Sequence, residues 1–330
     1  PVILKINPQA RTIVAAEIDP DFVTIGLFDF NIEPIETQRV PLREGQSVDQ
    51  VLDALSHHLT ALLEKHRVVS AQVLGAGIAL SGTISPDGHV VLSSIMGWKN
   101  VPLKALLKAR MPFPVSLFST RVRLLAEMGY NGHAEFDNVL YVNVADGVGC
   151  SITMNGALLQ GATGRCGEIG HVVMDPQGPQ CGCGHQGCLE AFISGPAIAD
   201  KIVRDLSDGK ESCLRQSVNE QDNHKSIIIK WAKAISSQDP YAQALFDDFS
   251  EYLGRAIAMA VNLYDPQLVI LAGYVNEACA EYVHPMLENA ISQSVYNSDS
   301  RTIQVQRARV GKQSFIIGAA MGVWQQNVSC

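Results

Sequence analysis

The stretch "CGCGHQGCLE", residues 181–190, places three cysteines within eight positions and separates them mainly by glycines. A histidine closes the segment "GEIGH" (167–171), ten residues before the first of these cysteines. One imidazole nitrogen and three thiolate sulfurs are the donors of a closed, four-coordinate structural zinc site. The predicted zinc ligands are His171, Cys181, Cys183 and Cys188.

Glycines at 182, 184 and 187 are expected to let this short loop bend its three thiols onto one ion, because glycine accepts positive φ without penalty. Two other interpretations stay open: free cysteines in a flexible loop, or a redox Cys-X-Cys pair. The redox pair is less favoured, because it lacks the two intervening residues of thioredoxin-like sites. A site with four protein ligands has no open coordination position, so the metal would pin the loop without activating water.

Two carboxylates flank the predicted metal loop. Glu168 lies three residues before His171, and Glu190 lies two residues after Cys188. If zinc takes one nitrogen of His171, the other nitrogen carries a proton and can donate it to a ligand oxygen. Two acceptors beside one donor suit a polyhydroxylated ligand. The alternative is that both glutamates cap neighbouring helix ends.

The composition is that of an ordinary globular protein. The chain has 330 residues, 47% hydrophobic and 18% charged, with a net charge of −8. No apolar run is long enough to span a membrane, and the first residues lack the pattern of a secretory signal. We therefore expect a cytoplasmic protein with reduced thiols. The negative net charge also indicates that this chain does not itself bind nucleic-acid phosphates over a broad surface.

Short β-rich runs alternate with helical patterns along the chain, which predicts an α/β protein of two lobes. Strands are expected at 11–18, 22–30, 73–80, 115–119, 138–145, 150–156, 268–273 and 302–308. Helices are expected at 47–66, 121–130, 195–207, 225–237, 240–263, 276–293 and about 314–326.

The two cysteine-loop segments together resemble the ROK family of repressors and sugar kinases. Further segments fit in order along essentially the whole chain: "GAGIALSGTISPDGHVV" (75–91), "MGWKNVPL" (96–103), "DGVGCSITMNGALLQGATG" (146–164), "LYDPQLVILAGYV" (263–275) and "IIGAAMGV" (316–323). The resemblance implies a two-lobed, actin-like or ribonuclease-H-like ATPase fold with a structural zinc loop at 171–188. It divides the chain into a lobe of residues 1–117, completed by a final helix at about 314–330, and a lobe of residues 118–313.

The resemblance also implies a sugar in the cleft between the lobes. Carried over position by position, the sugar-contacting residues are Glu168, His171, Glu190, Ser81, Gly82 and Ser119.

The kinase pattern of the family is not matched on the nucleotide side. Its first hairpin carries an Asp-x-Gly-Gly-Thr turn that cradles phosphate, and this turn aligns with "EIDPD" (17–21). The glycines are replaced by Asp19 and Pro20, and the threonine by Asp21. Proline has no N–H to offer, and each carboxylate would repel a nearby phosphate by about 1–4 kcal/mol.

The catalytic base is not matched either. The family's Asn-Asp pair aligns with Phe118 and Ser119, and residues 113–124 contain no carboxylate. A serine without a neighbouring base cannot take a proton from a sugar hydroxyl near neutral pH. Asp146 also stands where the second phosphate segment commonly has threonine.

This combination resembles the repressor branch of the family, which includes the N-acetylglucosamine and glucose repressors. We expect the effector-binding and oligomerisation body of a transcriptional regulator, which binds a sugar or sugar derivative without phosphorylating it and is not an enzyme. Its expected partners are a second copy of itself, as dimer or tetramer, and DNA through an N-terminal module absent from this chain. A protein partner also stays open. The alternatives are an active sugar kinase and a binding protein with no DNA module.

Overall fold

The computed structural model describes residues 7–43, 45–130, 133 and 135–328. Contacts between its residues divide the chain into two compact units, which are described separately. The first unit is Pro1–Glu135, Gln160–Cys166 and Arg309–Cys330, and the second is Phe136–Leu159 and Gly167–Ala308. The first unit thus continues beyond residue 117, where the sequence placed the boundary. Residues 1–6 and Cys330 lie outside the described residues.

The first unit is built on a five-stranded mixed sheet. In chain order its elements are β1 (Thr12–Ile18), β2 (Phe22–Phe28), β3 (Pro34–Pro41), α1 (Val48–Lys65), β4 (Val73–Leu80), β5 (Thr83–Ile84), β6 (Val90–Ser93), β7 (Trp98–Val101), α2 (Leu103–Lys108), β8 (Val115–Phe118) and α3 (Arg123–Tyr130). The sheet order is β3-β2-β1-β4-β8, with β1 antiparallel to β2 and parallel to β4. A second, three-stranded sheet has the order β5-β6-β7.

Helix α1 forms where the sequence predicts it, because Ser47 caps its first turn and Gln50 completes a capping box. Its apolar face, Val51, Leu55, Leu59 and Leu62, is buried in the first unit's core. The sequence did not predict β3 or the small sheet. Most of β3 is exposed at the sheet edge, so its polar residues show no apolar alternation.

The second unit repeats the scheme with strands first and helices after. Its elements are β9 (Val139–Val144), β10 (Val148–Met154), β11 (Ala157–Leu158), α4 (Glu190–Ile193), α5 (Gly195–Ser207), α6 (His224–Ser236), α7 (Pro240–Tyr264), β12 (Leu268–Ala272), α8 (Tyr274–Ala278), α9 (Ala280–Ser294) and β13 (Gln304–Arg307). The sheet order is β11-β10-β9-β12-β13, with β9 parallel to β12 and β12 parallel to β13. Trp231, Phe249 and Leu253 are buried within this unit.

The single helix predicted at 276–293 is wrong. The structure has two helices, α8 and α9, separated at Cys279, a buried residue with φ −102° and ψ 18°. Helix α8 begins earlier than predicted because Gly273, at φ 92°, turns the chain directly out of β12.

The final helix, α10 (Ser314–Val328), belongs to the first unit. It packs against β1, β4 and α3, and its first residues are almost entirely buried. Oε1 of buried Glu127 on α3 accepts the N–H groups of Arg309 and Val310, each at 2.9 Å, and Oε2 accepts that of Arg309 at 3.0 Å, which fixes the chain that leads into α10. These contacts hold α3 in the first unit. No helix in the described part of the chain is long and apolar enough to cross a membrane.

Candidate functional site

The cysteine loop is held by backbone hydrogen bonds of its own. Cys188 pairs with Val173 as an isolated antiparallel bridge, and Leu189 N–H donates to the carbonyl of Val172 at 2.9 Å. At the tip, Cys181 N–H donates to the carbonyl of His185 at 2.8 Å. The loop therefore folds back on itself, which brings donors far apart in sequence to one point.

The four predicted zinc ligands meet in the second unit. Their donor atoms all lie within 4.8 Å of one another. His171 Nδ1 is 3.8 Å from Cys181 Sγ, and Cys183 Sγ is 3.7 Å from Cys188 Sγ. Tetrahedral zinc with Zn–S bonds of about 2.3 Å requires sulfurs roughly 3.8 Å apart. The donor set and its spacing therefore fit a zinc ion.

The thiols of this cluster differ in their environment. Cys181 and Cys188 are buried, and burial raises the pKa of both, for Cys188 to about 12. Cys183 is exposed, and hydrogen bonding from the backbone and side chain of His185 lowers its pKa to about 6. Two buried thiols resist ionisation by themselves, so a cation is the group that can hold three thiolates together here.

Two of the three predicted glycines adopt the conformation that only glycine takes easily. Gly184 has φ 96° and Gly187 has φ 70°, and a side chain at Gly187 would overlap the carbonyl of Asp175. The third prediction is wrong, because Gly182 is not among the glycines with positive φ.

Two predicted sugar contacts of the second unit, Glu168 and Glu190, lie on either side of the cysteine loop. Glu168 immediately precedes a 3₁₀ turn, Ile169–His171, that packs against α4 and β10. Glu190 is the first residue of α4. Since His171 directs Nδ1 towards the thiols, Nε2 is the nitrogen that remains for a ligand.

Glu190 has a contact that the sequence did not reveal. Its Oε2 accepts the N–H of Val148 at 2.9 Å, at the first residue of β10. This oxygen also lies 3.0 Å from the position that a Cβ at Gly147 would take. Glu190 thus holds a strand from another part of the chain, so helix capping, the alternative kept open by the sequence, does not describe it. The partners lie 42 positions apart, and no sequence signal indicated the pairing.

The other predicted sugar-side residues lie in the first unit. Ser81 and Gly82 follow β4, and the carbonyl of Ser81 accepts the hydroxyl of Ser93 on β6 at 2.5 Å. Ser119 follows β8 and is 9% exposed. The ring of Phe118 is buried and packs on Gly322 of α10. This packing directs the ring of Phe118 into the core of the first unit.

The first hairpin uses up its own backbone donors. Asp19 N–H donates to the carbonyl of Phe22 at 3.0 Å, and Asp21 N–H donates to Asp19 Oδ1 at 3.1 Å. Pro20, between them, has no N–H. A phosphate cradle depends on free N–H groups that point at the anion, and these three residues supply none.

Known proteins similar to this chain include both regulators and kinases. A xylose repressor of Caldicellulosiruptor bescii is 25% identical over 323 residues, covering 96% of this chain and 79% of its own. A glucokinase of Halalkalibacterium halodurans is 27% identical over 302 residues, covering 90% of each chain. Among solved structures, a ROK family transcriptional regulator, a homologue of the Escherichia coli MLC protein, aligns with a TM-score of 0.83 at 27% identity, covering 97% of this chain and 79% of its own.

The family model with the description "ROK family" matches residues 14–326, nearly the whole chain. The mixed sheets of both units and the similarity to ROK regulators and kinases support the predicted actin-like, ribonuclease-H-like fold. The chain belongs to the ROK family.

Proposed function

We propose that this chain is the effector-binding body of a ROK-type transcriptional regulator that binds a sugar or sugar derivative and does not phosphorylate it. The observation that carries the proposal is the first hairpin, in which Asp19, Pro20 and Asp21 leave no backbone N–H for a phosphate. The similarity to the xylose repressor and the MLC homologue supports the regulator over a catalyst.

The sugar side of the proposal depends on the metal loop. His171, Cys181, Cys183 and Cys188 would hold a structural zinc ion, which when bound supplies rigidity and fixes the tautomer of His171. In this arrangement His171 Nε2–H donates to a sugar oxygen, and Glu168 and Glu190 accept from sugar hydroxyls. Ser81, Gly82 and Ser119 remain predicted sugar contacts in the first unit.

The same body would serve as the switch of the regulator. A ligand that binds one conformation of the protein more tightly than another shifts the equilibrium towards the tighter-binding conformation. The shift cannot exceed the ratio of the ligand's affinities for the two conformations. We propose that the chain acts as a homo-oligomer and contacts DNA through an N-terminal module outside this sequence. Its net charge of −8 is consistent with a body that leaves DNA contact to another module.

An active sugar kinase is the second candidate, because the glucokinase relative matches this chain over 90% of both lengths. The kinase would need a base for the sugar hydroxyl, and Ser119 has no carboxylate among its neighbours in residues 113–124.

Two assays separate the candidates. Thermal unfolding is followed with a panel of xylose, glucose, mannose, N-acetylglucosamine and N-acetylmannosamine, and each sugar is also incubated with Mg-ATP in a sugar-phosphate assay. We expect at least one sugar to raise the melting temperature, and none to be phosphorylated. A panel without any shift contradicts sugar binding, and a sugar phosphate formed with turnover contradicts the regulator.

Glu168→Gln is the variant for the site, with Glu281→Gln, at an exposed position on α9, as its control. We expect Glu168→Gln to lose the sugar-dependent rise in melting temperature, because a carboxylate that only accepts hydrogen bonds is replaced by an amide that also donates them. The control should retain this rise. Equal shifts in both variants would remove Glu168 from the ligand site.

A further inference from the structure

In the second unit the parallel strands β9 and β12 are neighbours, and we call the region at their carboxyl ends the β9–β12 crevice. From β9 the chain continues to β10 on one side, whereas β12 and β13 lie on the other, so the strand order reverses between β9 and β12. In open α/β sheets, ligands enter at such a point. The N-terminus of α5 also meets this edge, because Gly195 N–H donates to the carbonyl of Ala145 at 2.8 Å.

A tyrosine side chain occupies this crevice. Tyr274 is the first residue of α8, directly after β12, and its hydroxyl donates to Asp146 Oδ1 at 2.9 Å. Asp146 lies two residues after the end of β9. The ring therefore spans from one strand end to the other. Lys225 of α6 lies over the ring, with Nζ 5.6 Å from its centroid.

The backbone around the ring is shaped to accept it. A side chain at Gly195, the first residue of α5, would overlap the hydroxyl and ring of Tyr274. At Gly273 the chain has φ 92°, and a Cβ there would overlap the carbonyl of Val144. Gly195 thus allows the ring to lie against the N-terminus of α5, where an anionic group would otherwise be favoured, and Gly273 allows the ends of β9 and β12 to approach closely.

The chemistry of the pair also opposes an anion. Burial, followed by the neighbouring Asp146 carboxylate, raises the pKa of Tyr274 well above its ordinary range, so the phenol stays a donor. Asp146 is the acceptor of this hydrogen bond, so its carboxylate lies beside the ring. A phosphate that entered would meet both the ring and this charge.

We propose that Tyr274, held by Asp146, is a gate residue that closes the β9–β12 crevice of the second unit to nucleotide phosphates. This inference rests on the proposed function, since it supplies a second barrier to phosphoryl transfer, in a different unit from the first hairpin. It assigns Tyr274 and Asp146 to nucleotide exclusion and leaves the sugar contacts unchanged.

Titration calorimetry with the magnesium complex of AMPPNP tests the gate on the full chain. The decisive variant is the double substitution Tyr274→Gly with Asp146→Thr, which removes ring and charge together. We expect its Kd to be at least tenfold lower than that of the wild type. Asp146→Thr alone should bind no better than the wild type, because the ring still fills the crevice.

Tyr296→Gly is the matched control, because Tyr296 is 79% exposed in the same unit and should leave the Kd unchanged. Melting curves establish that each variant is folded, and Tyr274→Ser with Asp146→Thr replaces the double variant if that chain does not fold. The gate is overturned if the folded double variant gains less than tenfold, or if Asp146→Thr alone gives the full gain. Sugar phosphate made by the wild type would instead contradict the proposed function, whatever the ratio of Kd values.

Discussion

At the scale of single residues, Glu17 stands where the family's phosphate turn has its aspartate. It lies near the end of β1, on the face opposite to Val14 and Ala16, which pack in the core beneath α1. Burial raises the pKa of Glu17 to about 7, an effect that Arg123 and Arg39 partly offset and Asp19 reinforces. The folded first unit therefore prefers this carboxyl in its protonated form.

This preference predicts a dependence of stability on pH. The pKa of Glu17 is higher in the folded state than the ordinary 4.5, so the folded chain binds the proton more tightly. The stabilisation is complete below pH 4.5 and is lost as the pH rises through about 7. Glu17→Gln should raise the free energy of unfolding at pH 8 by about 1–3 kcal/mol and leave it nearly unchanged at pH 4.5.

Urea unfolding at pH 4.5 and pH 8 measures this difference. Glu64→Gln, at an exposed position on α1, is the control and should change neither value. A Glu17→Gln chain with the pH profile of the wild type would show that folding does not raise the pKa of this carboxyl.

At the scale of elements, the metal loop joins the turn before it to helix α4 after it. Its backbone bridges are few, Val173 with Cys188 and Gln180 with Gln186. Such short backbone pairings give the loop little stability by themselves. Four bonds from the ligands to one metal ion supply the additional constraint. The loop and the carboxylates that flank it should therefore be ordered together by the metal.

Removing one ligand should release the metal and loosen this segment. We expect one zinc ion per chain in the wild type and none in Cys183→Ser. The melting temperature should fall by about 5 °C or more, because bound metal stabilises only the folded loop. Metal content by mass spectrometry and proteolysis within residues 172–190 are the measurements.

Cys213→Ser is the control, since Cys213 is an exposed cysteine of the same unit outside the ligand set. It should retain zinc and resist the protease. A wild-type chain without stoichiometric metal would contradict the zinc proposal, and a Cys183→Ser chain that keeps its zinc would contradict the ligand assignment.

At the scale of the whole molecule, each unit is assembled from distant parts of the chain. The first unit takes its last helix from residues 314–328, which begin 184 positions after the end of α3 (314 − 130). Val323 of α10 is buried and contacts the backbone of β4 at Gly75, where a Cβ would lie 3.1 Å from its Cγ1. The first unit should therefore not fold stably until the C-terminus of the chain is present.

Val323→Asp tests this dependence. A buried, unpaired carboxylate against β4 should destabilise the first unit by about 4 kcal/mol or more, whereas Asn327→Asp, at an exposed position of the same helix, should cost less than about 1 kcal/mol. Hydrogen exchange at the amides of β1 and β4 is the measurement. Protection of these strands that stays equal in both variants would show that α10 is not needed for the first unit.

The sequence by itself determined the family, the α/β order of strands and helices, and the four donors of the metal site. These features are local: a capping box at Ser47, apolar periodicity in α1, and cysteines close enough along the chain to share an ion. Only the tertiary structure showed that Glu190 binds Val148, that Phe118 packs on Gly322, and that Tyr274 closes on Asp146. Each of these contacts joins residues that lie 42 to 204 positions apart, and such pairings follow from the sheet order and helix packing.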